Sequence, residues 1–540
     1  MIVHSAPHRR VRLAAACCAA LAALTMTAAG ATAAHADAFT SDSAPVVTTG
    51  DGAVRGMTAG TVNEFLGIPY AAPPVGNLRW RPPAAVASWH GVRDATRFGA
   101  SCPQAPSPFA PPGPFSENCL FLNVYTPAHG SDASGRPVLV WIHGGGLTED
   151  AGRDYDGAKL AADGAVVVTI NYRLGALGFL AHPALASRPS GPAGNYGLMD
   201  QQAALSWVQV NIARFGGNPH NVTIAGQSAG GLSVLAHLVS AGSRGLFQRA
   251  IVESGSFALT QQPLTTAETA GKAFAAKAGC PDQTAACLRK LPVSALVSNF
   301  PGAAIPGVID GQVLTESVGS ALAAGRFARV PVLNGTNHDE EFIFVTGLKL
   351  TVSGGQFVPI PGEPVTKGNY QSDIAAVLGV PATRAAAIAA QYPASAYPSP
   401  AVALSTLVGD ANFACPALQV DKWTAPRVPT FAYEFSDQAA PERYAPLPPA
   451  ATHSAETQYL FDLPNTPQPG TLSASQQALA ASMRTTWVNF AATGKPGSAA
   501  VPWPAFSGAD HAPMLSLVPS QPQVETDFAT QHHCLFWVAG

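Results

Sequence analysis

One serine stands in a sequence pattern that could make it a nucleophile. Residues 226–230 read Gly-Gln-Ser-Ala-Gly, the only Gly-x-Ser-x-Gly in the chain, with Ser228 at the centre. Residues 221–225 before it have the composition of a short buried strand, and residues 231–239 after it that of an apolar helix. A serine at a sharp strand-to-helix turn is a nucleophile elbow. The alternative is a glycine-rich loop without chemical function.

A serine hydroxyl is a weak nucleophile and needs a base, which a carboxylate must orient. On folds with an elbow, the acid and then the histidine follow the serine along the chain. Asp339, Glu340 and Glu341 come just after a predicted strand, and spacing does not choose between them; a solvated acidic loop is the alternative. Four histidines follow these carboxylates, His453, His511, His532 and His533. We expect His453 to be the base, because it comes just after the last predicted strand.

The third requirement is a set of N–H groups that stabilise the oxyanion of a tetrahedral intermediate. Three consecutive glycines, residues 144–146, follow an apolar run at 137–142 and His143. Glycines directly after a strand are typical of this function, together with the N–H of the residue after the nucleophile, here Ala229. A triple glycine alone is weak support, but its combination with the elbow, an acid and a histidine in this order predicts acyl transfer.

Composition and the N-terminus limit the class of protein. The net charge is −3 and only 12% of residues are charged, so no basic surface for nucleic acid is expected. Residues 1–36 hold three arginines, an apolar run and Ala-His-Ala, the pattern of a cleavable signal peptide. The alternative, a single membrane anchor, is disfavoured because the run is short and alanine-rich. We therefore expect a secreted protein without a stable membrane anchor.

The cysteines fit export. Six remain after residue 36, an even number that predicts three disulfides, although sequence alone allows fifteen pairings. Their spacing is not that of a zinc site, so no metal is expected. Acyl transfer by a serine needs no cofactor, and none is expected.

Apolar runs alternate with helical patterns along residues 37–540. This alternation predicts one α/β domain with a mostly parallel central sheet flanked by helices. The strands are expected at residues 137–143, 166–170, 221–225, 250–255, 330–335 and, last, 429–435, and the helices at residues 200–212, 382–391 and 473–492. Residues 345–410 lack the strand pattern and are interpreted as a helical, cap-like insertion, and the tail after the late helix as irregular.

Beyond these features, the chain resembles the type-B carboxylesterase/lipase family, the α/β-hydrolases that include the cholinesterases. The resemblance runs from about residue 46 to 538 and rests on several specific motifs, at residues 65–70, 117–124, 140–146, 194–201 and 215–219. It implies a serine hydrolase in which Glu340 is the acid, His453 the base, and the N–H groups of Gly145, Gly146 and Ala229 the oxyanion donors.

The resemblance also implies structural roles. Arg79 and Glu117 match an ion pair of the family. The disulfide pairs would be Cys102–Cys119, Cys280–Cys287 and Cys415–Cys534.

Departures from the family pattern bear on the substrate. Gln227 replaces the usual Glu before the nucleophile, and the first disulfide loop has no Trp, so a cationic alcohol group lacks both its anion and its aromatic face. Leu147 replaces the usual Phe and Glu341 the usual Gly. Substrate contacts are expected from Gln227, Leu147, Phe109 and Phe115.

The expected function is hydrolysis of neutral, short- to medium-chain carboxylic esters, with a small-molecule ester as the substrate. The alternatives are a long-chain lipase and a non-catalytic adhesion relative of the fold. The oligomeric state does not follow from the sequence.

Overall fold

The centre of the fold is an eleven-stranded sheet. The structure is a computed structural model, and it describes residues 44–538 except for residues 108–112, 131–133, 187–193, 301–306, 346–348, 354–355, 361–364, 442–449, 465–470, 499–500, 510 and 520. The predicted signal peptide therefore lies outside the described residues.

The strands of the sheet are numbered in chain order. They are β1 Met57–Ala59, β2 Val62–Pro69, β3 Phe121–Pro127, β4 Arg136–Ile142, β5 Val166–Ile170, β6 Gly217–Gln227, β7 Arg249–Glu253, β8 Val332–Asn337, β9 Thr430–Phe435, β10 Met514–Leu517 and β11 Gln523–Glu525. Their order across the sheet is β11-β10-β9-β8-β7-β6-β4-β5-β3-β2-β1. In this sheet order, each pair of neighbours between β10 and β5 is parallel. The remaining pairs are antiparallel: β11 with β10 at one end, and β5 with β3, β3 with β2 and β2 with β1 at the other.

The central strands are apolar because both of their faces are covered. In β4, Val138, Val140 and Ile142 enter one hydrophobic core, and the alternate residues Leu139 and Trp141 enter the core on the opposite face. Successive side chains of a strand point to opposite faces, so a continuous apolar run fits only a strand buried on both sides.

Helices cover the two faces and connect the strands. They are α1 Ala158–Ala162, α2 Gly175–Phe179, α3 Tyr196–Asn211, α4 Ala229–Val239, α5 Leu264–Lys277, α6 Ala285–Lys290, α7 Val293–Asn299, α8 Val318–Ala323, α9 Phe342–Val345, α10 Tyr370–Leu378, α11 Ala382–Gln391, α12 Pro400–Gly409, α13 Cys415–Thr424, α14 Thr457–Leu460, α15 Ala474–Thr493, α16 Phe528–Gln531 and α17 Cys534–Val538. The predicted late helix is α15, where Ser473 and Gln476 form a capping box. This mostly parallel sheet between helices confirms the predicted α/β-hydrolase fold.

The region predicted as a helical insertion contains helices and one hairpin. Helices α10, α11 and α12 lie in it, and α11 has the bounds expected from the sequence. Lys349–Ser353 and Gln356–Ile360 pair as antiparallel strands, so the expectation of no strands there is wrong. A π-helical turn, Asp410–Ala414, joins α12 to α13. Among the described residues, the helical stretch Pro400–Thr424 is long and apolar enough to cross a membrane, and 72% of its most apolar 18 residues are buried inside the molecule. The helices Tyr370–Leu378 and Ala382–Ala396 reach that length and apolar character only when taken together, and they are bent by 115° at the break between them.

The C-terminal tail is not irregular, as the sequence had suggested. Met514–Leu517 adds a strand parallel to β9, and β11 follows it as the edge strand. These strands are only four and three residues long. Segments this short have no recognisable sequence pattern. They are extended because they form hydrogen bonds with neighbouring strands of the sheet.

The disulfides have the pairing that the family resemblance implies, Cys102–Cys119, Cys280–Cys287 and Cys415–Cys534. Close to the first, Arg79 donates two hydrogen bonds to Glu117, of 2.7 and 2.5 Å. The same guanidinium donates to the carbonyl of Leu291 (2.7 Å), so the pair fastens two distant segments to each other.

We predict that the disulfides differ in their effect on stability. Cys415 and Cys534 are 119 residues apart and Cys280 and Cys287 only seven. Loop-closure entropy therefore gives about 5 kcal/mol for the first and about 2.5 kcal/mol for the second. The double variant Cys415→Ala/Cys534→Ala should lose clearly more Tm, at a fixed scan rate, than its matched control Cys280→Ala/Cys287→Ala. Equal losses would contradict this.

Candidate active site

The predicted elbow consists of a single residue between a strand and a helix. Strand β6 ends at Gln227 and α4 begins at Ala229. Ser228 between them has φ 57° and ψ −125°, a conformation that L-residues rarely adopt. Its N–H donates to the carbonyl of Glu253 on β7 and its C=O accepts from Leu232, both at 2.9 Å. The surrounding hydrogen bonds hold the strained residue in place, as is common at functional sites.

Glycines at both ends of the motif allow α4 to lie directly against β4. A Cβ on Gly230 would lie 1.9 Å from the carbonyl oxygen of Ile142, and a Cβ on Gly226 2.6 Å from the same atom. Backbone in this position cannot move aside, so only glycine fits. The two glycines therefore set the distance between Ser228 and the loop that follows β4.

The three glycines after β4 form that loop. Gly145 and Gly146 have φ 76° and 60°, and Leu147 has φ 61°. A Cβ on Gly144 would lie 3.1 Å from the Cβ of Ser228, so the loop packs against the elbow. Gly145 and Gly146 begin a 3₁₀ turn, as Ala229 begins α4. N–H groups in a first helical turn have no intrahelical acceptor and are free to bind an anion.

Glu340 is the carboxylate that reaches a histidine. It follows β8 and is 1% exposed. Its Oε1 accepts hydrogen bonds from the Thr336 hydroxyl (2.7 Å) and the Asn337 N–H (2.8 Å), and its Oε2 lies 2.5 Å from Nδ1 of His453. The first two contacts fix the carboxylate, so that it can hold the imidazole in one orientation and one tautomer.

The neighbouring carboxylates have other partners. Asp339 accepts hydrogen bonds from the Gln438 amide (2.7 Å) and the Ala451 N–H (3.2 Å). Glu341 accepts one from Asn412 at 3.4 Å. Spacing along the chain could not show which of the three carboxylates contacts His453. Their hydrogen-bond partners in the structure do, because Glu340 is the one paired with the imidazole.

His453 is buried, and its pKa reflects two opposing effects. Burial lowers the pKa, but the charge and hydrogen bond of Glu340, with smaller contributions from Glu456 and Glu341, raise it above the ordinary value of 6.5. The rings of Phe413 and Phe344 lie 5.0 and 5.3 Å from the imidazole. With Nδ1 donating to Glu340, Nε2 is left as the acceptor.

The other downstream histidines lie elsewhere. His511 is exposed, its Nδ1 3.3 Å from the carbonyl of Thr526. His533 contacts Gln391. His532 is buried between Asp410 (2.5 Å) and Glu434 (2.6 Å), which use both of its ring nitrogens.

His532 also belongs to one of two groups of side chains, among the described residues, whose ligand atoms are close enough to hold a metal ion. Ligand atoms of His338, Glu434 and His532 lie within 4.8 Å of one another, an association that residue spacing did not predict. Because Asp410 and Glu434 already engage both nitrogens of His532, we assign the cluster as an ion-pair network that ties the C-terminal segment to β9. The second group, Cys280, Asp282 and Cys287, contains a disulfide, whose sulfurs are not thiolate ligands.

Gln227 occupies Nε2 of His453. Its amide Nε2 lies 3.3 Å from the imidazole Nε2 and donates to it. Among the hydrogen bonds of the described residues, none joins Ser228 Oγ to His453. The hydrogen bond between a catalytic serine and its base is often long before a substrate binds. One edge of the sheet nevertheless holds the elbow, the glycine loop and the Glu340–His453 pair.

The expected pocket residues are only partly at this site. Gln227 touches the imidazole, and Leu147 is buried at the end of the glycine turn. Phe115 is 39% exposed, and its backbone pairs with that of Ser101. Among the ring contacts of the described residues, none joins Phe115 to His453. Phe109 lies outside the described residues.

Two aromatic residues at the site were not expected from the sequence. Phe413 belongs to the π-helical turn and Phe344 to the four-residue helix α9. Neither stands in a recognisable motif. The irregular turn at Phe413 interrupts the helical periodicity, and the helix at Phe344 is only four residues long.

We predict that Gly230→Ala prevents the elbow from packing. The new Cβ would meet the Ile142 carbonyl at 1.9 Å, and the forced separation of α4 from β4 should cost about 3 kcal/mol. Urea unfolding, or Tm at a fixed scan rate, measures this. Gly368→Ala is the matched control, since a Cβ there has only the Thr366 hydroxyl, at 3.7 Å, within 4 Å. Equal stability of the two variants would contradict the packing argument.

Comparison with known proteins agrees with this geometry. A model of the carboxylesterase family matches residues 43–537. The chain is 36% identical over 508 residues to the acylcarnitine hydrolase of Mus musculus, covering 88% of each protein. It is 36% identical over 501 residues to the cocaine esterase of Homo sapiens, covering 86% of each.

A third relative has the same percentage identity. The fumonisin B1 esterase of Sphingopyxis macrogoltabida is 36% identical over 500 residues, which cover 88% of this chain and 87% of that protein. A match over nearly the whole length, with the elbow and glycine loop at one sheet edge, means that the chain belongs to the carboxylesterase family of α/β-hydrolases and hydrolyses carboxylic esters.

Proposed function

We propose that the protein is a secreted serine esterase that cleaves neutral esters with short to medium acyl chains through an acyl-enzyme intermediate. The observation that supports the mechanism most directly is the 2.5 Å contact between Glu340 and His453 beside the strained elbow of Ser228. A nucleophile, a base and an orienting acid on separate elements, converging at one sheet edge, are the requirements for activating a serine.

In the proposed reaction, Ser228 Oγ attacks the ester carbonyl and His453 Nε2 takes its proton. The N–H groups of Gly145, Gly146 and Ala229 bind the oxyanion. Collapse of the tetrahedral intermediate expels the alkoxide, which takes the proton from His453 and leaves as the alcohol. Water, activated by the same imidazole, then attacks the acyl-enzyme and releases the carboxylic acid. Glu340 balances the charge of the imidazolium in both halves.

Gln227 has to yield Nε2 of His453 to Ser228 when substrate binds. Rotation of its side chain would suffice, because the amide holds the imidazole by only one contact of 3.3 Å. Its neutral amide also supports the preference for neutral esters, since position 227 offers no carboxylate to a cationic alcohol group. The rings of Phe413 and Phe344, 5.0 and 5.3 Å from the imidazole, offer apolar surface to a neutral ester beside His453.

Export is supported by two features. The N-terminal sequence has the three parts of a cleavable signal peptide. Three disulfides in the folded domain are typical of proteins that fold in an oxidising compartment.

We predict that Ser228→Ala abolishes ester hydrolysis. Hydrolysis of p-nitrophenyl acetate and butyrate should fall by at least about 10⁴-fold, because a methyl group cannot form the acyl-enzyme. Wild type should hydrolyse both faster than the palmitate ester and should be labelled by a fluorophosphonate. The control is Ser206→Ala, an exposed serine of α3. Undiminished activity or labelling of Ser228→Ala would refute the mechanism. If the wild type hydrolysed the palmitate ester faster than the acetate and butyrate esters, the proposed chain length would be wrong.

The pH dependence follows from the pKa of His453. The base acts only when neutral, and its folded pKa is raised above 6.5, so activity should decline as pH falls through that raised value. We expect the half-maximal point of kcat/KM on the acid side to lie above pH 6.5. Release of p-nitrophenol should be followed at the isosbestic wavelength of its two forms, so that product ionisation does not distort the profile. A half-maximal point below the ordinary histidine value would contradict the assignment.

A further inference from the structure

The loop after β4 ends on a residue whose backbone is held by a distant side chain. Asp150 follows the glycine turn and has φ 83°, a conformation that is uncommon for residues other than glycine. The side-chain amide of Gln104 contacts both polar groups of its backbone. Gln104 Oε1 accepts the Asp150 N–H at 2.8 Å, and Gln104 Nε2 donates to the Asp150 carbonyl at 3.0 Å. One side chain thus holds Asp150 by two hydrogen bonds, as a residue on a neighbouring strand would.

Gln104 belongs to the first disulfide loop. It lies two residues after Cys102 and is 6% exposed. Its Nε2 also donates to the Cys102 carbonyl at 3.1 Å, so both N–H donors and the oxygen of the amide have partners. The disulfide from Cys102 to Cys119 therefore anchors the segment from which Gln104 reaches the loop after β4.

The loop between the elbow and Asp150 is short and closed by its own contacts. At one end, Gly144 packs against Ser228. At the other end, Asp150 packs against Gly145, because a Cβ on Gly145 would lie 2.8 Å from the Asp150 Cβ. The Gly145 carbonyl also accepts the N–H of Thr148 at 2.9 Å. A loop closed in this way moves as a unit, so the position of Asp150 sets where the glycine N–H groups lie.

This loop borders a cavity. The cavity has a volume of about 180 Å³ and is lined by Thr148 and Glu149 of the loop, by Gln104 itself and by side chains of α2 and α7. Atoms next to empty space lack packing contacts that would restrain them on that side. The hydrogen bonds of Gln104 therefore restrain the loop where close packing does not.

We propose that Gln104 is a positioning residue that, by holding Asp150, keeps the oxyanion donors in place. The N–H groups of Gly145 and Gly146 then lie at the distance from Ser228 that the tetrahedral intermediate requires. Such donors stabilise the oxyanion strongly because they are in place before charge develops and need not reorganise. This inference rests on the proposed function, because it assigns Gln104 a role in that mechanism's oxyanion hole.

Hydrogen exchange tests the hold on the loop without any catalytic step. In Gln104→Met, an unbranched side chain of similar length remains but the amide is lost. Backbone amides of residues 144–151 should then exchange about tenfold faster than in wild type, because the two hydrogen bonds to Asp150 no longer oppose local opening. Unchanged exchange in this segment would overturn the proposal.

Gln476→Met is the matched control. Gln476 is also 6% exposed, and its amide also joins three partners, but at the start of α15. Its loss should leave the exchange of residues 144–151 at the wild-type rate. Equal acceleration of that segment in both variants would show a general loss of stability and would also overturn the proposal.

The division of the effect between kcat and KM tests the positioning role. With p-nitrophenyl butyrate, Gln104→Met should lower kcat by about tenfold, which is less than the roughly 10²–10³-fold effect of losing one oxyanion donor. KM should stay at the wild-type value, because the affected contacts form only in the transition state. Gln476→Met should keep the wild-type kcat below its Tm. A wild-type kcat in Gln104→Met, or a higher KM alone, would overturn the role.

A trifluoromethyl ketone gives a second measure of the oxyanion site. Ser228 Oγ bonds to the ketone carbon, its proton passes to His453, and the former carbonyl oxygen becomes an oxyanion at the glycine N–H groups. The Ki of this ketone should rise in Gln104→Met by the factor by which kcat/KM falls, since it imitates the transition state. An unchanged Ki would overturn the role.

These measurements distinguish this inference from the proposed function. If Ser228→Ala retained activity, the serine mechanism would fail, and the positioning role would fail with it. If Ser228→Ala were inactive but Gln104→Met kept the wild-type kcat and Ki, only the positioning role would fail and the mechanism would stand.

Discussion

The close approach of α4 to β4 is the constraint on which the active site depends. Gly230 lies against the carbonyl of Ile142 with no space for a side chain, and this contact brings the residues after β4 alongside the turn at Ser228. The hydrogen bond from Ser228 N–H to Glu253 fixes the turn from the opposite strand. Because parallel strands end at one edge of the sheet, the loops after β4, β6, β8 and β9 then meet there.

The charges around His453 form a second level of organisation. Three carboxylates, Glu340, Glu341 and Glu456, raise the pKa of His453 against the effect of burial. His532 offers a contrast within the same molecule, since Asp410 and Glu434 engage both of its nitrogens and leave none for chemistry. The Nε2 of His453, by contrast, meets the neutral amide of Gln227 at 3.3 Å and no carboxylate.

Much of the fold could be predicted because the long central strands and helices have strong local patterns. The β4 strand is apolar on both faces, α11 has the bounds expected from its alanine-rich sequence, and α15 has a recognisable cap. The short elements could not be predicted in this way. β10 and β11 are stabilised by pairing with β9 and with each other, and the turn at Asp410–Ala414 interrupts an otherwise continuous apolar helix.

The sequence by itself determined the residue types that chemistry requires, since the Ser228 elbow and the glycines after β4 are local motifs. It also placed a carboxylate and a histidine in the expected order. Only the tertiary structure decided that Glu340 contacts His453 and that Gln227 lies against the imidazole. These contacts join residues more than one hundred positions apart, and chain spacing carries no information about the direction in which such side chains point.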